Sequence, residues 1–201
     1  MYGSLSYPPN ASDYSPKYIA GARLPHTWII PRNPKLVAGI TPADLSYVSE
    51  LTESDIELRK YSTLDLCAYD AFTLIQGPSA KSAARAAEVL DLLYQHPELQ
   101  HSQRNSSNGV NISGTHSDAE ISPDPLGHTS PLLRTATLSQ DFDTLPDTAG
   151  DAFCLQAGIN EGRSGGLLVR PDQHIQLRIE EETRAIDIVK AIYEHLGLEF
   201  S

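Results

Sequence analysis

Residues 164–178, SGGLLVRPDQHIQLR, carry a guanidinium, a carboxylate and an imidazole at alternate positions, Arg170, Asp172 and His174. Upstream, GARLPHTWII adds a second imidazole at His26, close to Arg23 and Pro25. Two histidines and an aspartate can make a general acid–base set, one group taking a proton while another returns it. Such a set serves isomerisation, cyclisation, dehydration or hydrolysis without a cofactor. The same residues also suit a tight hairpin corner. There Pro171 fixes φ, Asp172 accepts from turn amides and Arg170 pairs with a carboxylate across the fold.

Other reactive side chains are less well placed. Cys67 and Cys154 show no paired-cysteine spacing, so thioredoxin-type redox chemistry is excluded and both read as reduced thiols. Cys67, in LDLCAY, has no base at a recognisable offset and reads as a small buried residue. His101, His116 and His128 are irregularly spaced, with no acidic or cysteine partner at a ligand offset. No metal site is expected from them.

The elements that must position these groups follow from hydrophobic pattern. Trp28–Ile30 reads as a short buried strand between Pro25 and Pro31, and Phe72–Ile75 as a second, closed by Gly77-Pro78. Ser79 can cap a helix whose apolar stripe is Ala83, Ala86, Ala87, Leu90, Leu93 and Tyr94. GLLVR and HIQLRI are strands around the Arg170–Gln173 turn. A last helix follows from about Glu181, with Ile186, Val189, Ile192, Tyr193 and Leu196 on one face and Gly197 after its end. Strand–helix, then hairpin–helix, is the order of an α/β, thioredoxin-like sheet flanked by helices.

Two segments stand outside that core. Residues 1–20, rich in Pro, Ser and Tyr, read as an extended N-terminal arm, leaving 21–201 as the domain. Residues 97–150 are dominated by Ser, Thr, Asn, Asp, Gly and Pro and read as a long, low-complexity, poorly ordered insertion. Across all 201 residues the formal net charge is −11, with no Lys/Arg cluster, which argues against nucleic-acid or anionic-membrane partners. No apolar run reaches the roughly 18 residues of a membrane span, and no signal-peptide pattern opens the chain. A cytoplasmic protein is expected.

Three blocks, GARLPHTWI, STLDLCAYDAFTLIQG and GGLLVRPDQHIQLR, resemble the C-terminal domain of FAD-dependent aromatic hydroxylases of the phenol and 2,4-dichlorophenol monooxygenase type. They occur in that family's order over roughly 15–95 and 150–198; the insertion matches nothing in it. Gln173 stands where the family has glycine, which implies a somewhat altered turn. The resemblance implies that Arg23, Pro25, Arg170 and Pro171 are signatures of the fold and of its interface with the flavin-binding part. That part is missing: neither a GxGxxG on a βαβ unit nor the later Gly-Asp motif occurs, and the glycines of EGRSGG lack the spacing. No cofactor is therefore expected, and no hydroxylation by this chain alone.

Three readings stay open at this point. The first is an accessory, binding or assembly module, pairing with a flavoprotein monooxygenase or with itself as a homodimer, or holding a small aromatic ligand. The second is a cofactor-independent enzyme acting on a phenolic or polyketide-type intermediate of secondary metabolism, with His26, His174 and Asp172 as its acid–base groups. A split gene product, its flavin domain encoded separately, is the third.

Overall fold

The computed structural model describes residues 16–95, 129–130 and 132–199. The chain begins with β1 (Trp28–Pro31), a 3-10 turn at Pro34–Val37 and α1 (Glu53–Leu58). Next come β2 (Tyr61–Ser62), a second 3-10 turn at Thr63–Leu66, β3 (Phe72–Gln76) and α2 (Ala80–Gln95). After them lie β4 (Thr129–Ser130), β5 (Leu133–Thr137), β6 (Phe142–Thr144) and α3 (Thr148–Ala157). The last elements are β7 (Gly166–Val169), β8 (Ile175–Ile179) and α4 (Ala185–Leu196).

These strands form two sheets. Five of them run in the order β4-β5-β3-β7-β8, and three in the order β2-β1-β6. In the larger sheet only β3 and β5 are parallel, joined through α2 as a crossover. β7 runs antiparallel to β3, and β8 to β7. The α/β class expected from sequence is the class observed.

Side-chain alternation divides the core in two. Leu74 and Leu168 point to one face, where Val89 and Leu93 of α2 meet Ile188, Val189 and Ile192 of α4. Ile75, Leu167 and Val169 point to the other, against Ile29, Leu66, Phe142 and Phe153. β3 is buried at every position because both faces of the sheet are covered. That explains why it reads as a continuous apolar run rather than an alternating one.

Local signals account for the helix ends. Ser79 Oγ accepts the amide of Ser82 at 3.1 Å, the cap expected for α2. Asp147 accepts from the Gly150 amide at 2.8 Å and opens α3, which Gly158 closes at φ 68°. Gly197 closes α4 in the same way.

Several expectations are corrected. The proposed poorly ordered insertion over 97–150 does not hold for 132–150, which contain β5, β6 and the start of α3. β5 lies between β3 and β4, so its Leu133 and Ala136 are fully buried despite their polar neighbours. The stretch 96–128, with residue 131, lies outside the described residues. The arm over 1–20 is also shortened, because Tyr18 is buried and its ring meets Phe153 at 6.0 Å; residues 1–15 are not described. The final helix starts at Ala185, later than expected, with Asp187 as its first-turn acid. Ile186 and Leu196 stay outside the core, and Ile188 takes the buried position.

Candidate functional site

The corner between β7 and β8 is built from its backbone outward. The Arg170 amide donates to His174 O at 2.9 Å and the Gln173 amide to Arg170 O at 3.0 Å. Gln173 closes the turn at φ 66°, the left-handed conformation a glycine would take. The turn thus keeps the glycine-type backbone that its replacement had been expected to alter.

Side chains then lock this corner. Arg170 grips Asp172, two residues on in the same turn rather than a carboxylate across the fold, with two bonds, Nε to Oδ1 at 3.0 Å and an Nη to Oδ2 at 2.5 Å. The amide of His174 also donates to Asp172 Oδ1, at 3.2 Å. Principally because of the Arg170 bonds, the Asp172 carboxyl is held at about 2, below its ordinary 3.8. It is ionised across the neutral range and already paired, so the geometry gives it the work of a fixed anion. His174 Nδ1 lies 3.0 Å from the carbonyl oxygen of Asp172, and the ring is partly exposed.

The segment containing Arg23 adds itself to the edge of β8. Gly21 N donates to Ile175 O, Ile175 N to Ala22 O and Leu24 N to Gln173 O, each at 2.8 Å. Arg23 pairs opposite His174, and its guanidinium reaches Gln173 Oε1 at 3.4 Å. From the other side of Gln173, Nε2 reaches Leu64 O, also at 3.4 Å. Arg23, Arg170, Asp172 and His174 therefore share one corner.

His26 does not join that hydrogen-bonded set. Its ring is exposed and stands edge-on to Trp28, centroids 4.7 Å apart. Among the described residues it makes no hydrogen bond or ion pair with Asp172 or His174. Pro25 belongs to a different contact: its carbonyl accepts from the Thr63 hydroxyl at 2.7 Å. Thr63 is fully buried and also accepts the Thr27 amide at 3.2 Å. Sequence reasoning did not single out Thr63. The signal was the STLD run, in which Asp65 accepts from both the amide and the hydroxyl of Ser62 and fixes the turn that aims Thr63 inward.

Other candidates resolve simply. Cys67 and Cys154 are both free, and burial pushes the Cys67 thiol up to about 12, so it stays protonated. Among the described residues no group of three or more His, Cys, Asp or Glu is placed to hold a metal ion; His101, His116 and His128 lie outside them. Two of the glycines of EGRSGG, Gly165 and Gly166, are packed against backbone. A Cβ on Gly165 would stand 2.6 Å from Gly158 O, and one on Gly166 2.5 Å from Ile75 O. Both are committed to close backbone packing within the fold rather than to an open phosphate loop. Among the described residues no helix is long and apolar enough to cross a membrane.

No protein-family profile and no curated protein matches this chain. Among solved structures it is similar to the flavin-dependent monooxygenase PieE, crystallised with FAD and substrate, at 20% identity and a TM-score of 0.41. That likeness covers 96% of this chain and 24% of the PieE chain, so the protein spans about a quarter of that length. It is too loose to carry an argument about the site.

Proposed function

We propose that this chain is a stand-alone relative of the C-terminal domain of FAD-dependent aromatic hydroxylases. In this reading it is a thioredoxin-like accessory module that docks on a flavoprotein monooxygenase and has no flavin chemistry of its own. The observation that carries the reading is the convergence of the three family-like blocks. GARLPHTWI meets GGLLVRPDQHIQLR through the Ala22, Leu24 and Gly21 backbone bonds, and Gln173 and Pro25 tie both to STLDLCAYDAFTLIQG. Blocks far apart in sequence thus meet in the fold, partly at the exposed corner and partly in the buried contact beneath it. The connectivity is consistent with it: β3–α2–β5, then α3, the β7–β8 hairpin and α4, with neighbours ordered β5-β3-β7-β8.

The docking face proposed is the exposed side of that corner. Arg23 is exposed there and gives a positive point on a chain whose net charge is −11, and His26, exposed beside Trp28, lies three residues along the same segment. Such a point suits an acidic patch on the partner and fixes its orientation.

Sedimentation velocity with an aromatic monooxygenase trimmed of its C-terminal domain tests the proposal. The expected result is a stoichiometric complex carrying all of the flavin absorbance on the larger partner. Arg23→Glu with His26→Asp is expected to weaken it about tenfold or more. A chain that forms no complex, or that carries flavin itself, contradicts the reading.

A further inference from the structure

The apolar stripe of α2 is wider than the core it covers. Ala86, Val89, Leu90 and Leu93 are buried, whereas Ala83, Ala87 and Tyr94 are exposed. Those three face a cavity of about 300 Å³ between α2 and the carboxyl ends of the parallel pair β3 and β5. The strand side contributes Gln76, Thr135 and Thr137, followed by Asp141 from the next turn. Carboxyl ends of parallel strands are where open α/β sheets hold their ligands.

One residue lining this cavity carries an unmatched, buried acceptor. Gln76 is only 3% exposed; its Nε2 donates to Thr137 Oγ1 at 3.2 Å, while its Oε1 has no hydrogen-bond partner among the described residues. A buried acceptor without a donor is destabilising, and native structures rarely keep one. A ligand N–H, meeting it directly or through one water, would satisfy it.

The charges around the cavity have one sign. Asp91 and Asp141 line it, and among the described residues no Lys, Arg or His does. Asp141 is held in place by the Thr137 amide at 2.9 Å and by Asn33 Nδ2 at 3.1 Å. Asp91 has no hydrogen-bond or ion-pair partner among the described residues. Tyr94, 49% exposed, presents a ring at the same mouth. Aromatic faces and carboxylates attract ammonium groups, and repel or ignore anions.

We infer that this groove binds an organic ammonium ion with a short apolar body. The body lies on Ala83, Ala87 and Tyr94, and the ammonium N–H groups face Asp91, Asp141 and the Gln76 amide. This site is separate from the β7–β8 corner and does not depend on the docking proposed there.

Titration of the full ¹⁵N-labelled chain with phenethylamine, and with 3-phenylpropanoate as a carboxylate of similar shape, tests it by amide chemical shifts. The amine is expected to give saturable shifts over 83–94 and 135–141, and the carboxylate none. Asp91→Asn should weaken amine binding about fivefold, the upper range for one exposed charge pair. Ala87→Leu should abolish it by filling the groove, with thermal stability unchanged because Ala87 is exposed. Equal response to both probes, indifference to either substitution, or no saturable shift with the amine overturns the inference.

Discussion

Gln173 holds a left-handed backbone at φ 66°, a conformation that costs a non-glycine residue about 1–2 kcal/mol and glycine almost nothing. What it gains is two long bonds of 3.4 Å, to Arg23 and Leu64. Strain outweighs them, so Gln173→Gly should be neutral or stabilising by up to about 1 kcal/mol in guanidinium denaturation. Gln173→Val, β-branched at the same φ, should cost about 1–2 kcal/mol. Asp172, one residue earlier, predicts a pH effect. Its folded pKa of about 2 lies below the ordinary 3.8, so its contribution is present above pH 3.8 and lost as pH falls towards 2. Asp172→Asn should therefore flatten the acid-unfolding curve between pH 4 and 2, measured by circular dichroism. At neutral pH it should remove that same contribution, a small one because the Asp172 carboxylate is largely exposed. Cys67 sets a third expectation. With its thiol pushed up to about 12, it should resist disulfide reagents at pH 8 until denaturant is added.

At the scale of elements, the junction of α2 with β7 and α4 depends on one buried cation. Arg85, 6% exposed, donates to the carbonyl oxygens of Ser164, Glu180 and Thr183, and among the described residues has no carboxylate partner. Arg85→Ala should cost about 2–4 kcal/mol, and Arg85→Lys should not restore it, since one ammonium cannot span three carbonyls. The role was hidden in sequence because an arginine between alanines on a helix reads as solvated. The legible elements were those whose pattern is set locally: β3 by its apolar run, α2 by Ser79 and its stripe, the hairpin by Pro171. β5, β6 and α3 were less legible. In RTATLSQDFDT the apolar positions are few, and burial comes from strands far away in sequence, β3 for β5 and β1 for β6. Yet Asp147 and Gly158 bracket α3 with ordinary cap residues, a signal that the composition of the surrounding segment masked. At the candidate site, the hairpin corner was legible from Pro171, but not that Arg170 pairs with Asp172 inside the turn or that His26 turns to Trp28. Ring orientation depends on the fold around it, not on spacing.

For the molecule as a whole, the larger sheet separates two cores and must be complete to separate them. Leu167, fully buried on one face beside Leu168 on the other, should cost about 2–5 kcal/mol when changed to alanine. Native-state hydrogen exchange should show the β5 amides among the slowest, matching β3 and β7 rather than the chain ends. Rapid exchange of Leu133–Thr137 would restore the poorly ordered reading of that stretch.

The bonds joining residues 21–24 to 173–175 also set a clock. Arg23 and Gln173 lie 150 positions apart, so the segment that completes the corner is made long before its partner exists. At ribosomal speeds of about 5–20 residues per second, the wait is roughly 8–30 s. During that interval Leu24, 2% exposed in the finished protein, lacks the hairpin to which its amide bonds. The nascent chain should thus be a customer for holding chaperones at least until β8 emerges. Closing the corner then leaves α4 to be made and docked on α2, and the need for them ends with that step.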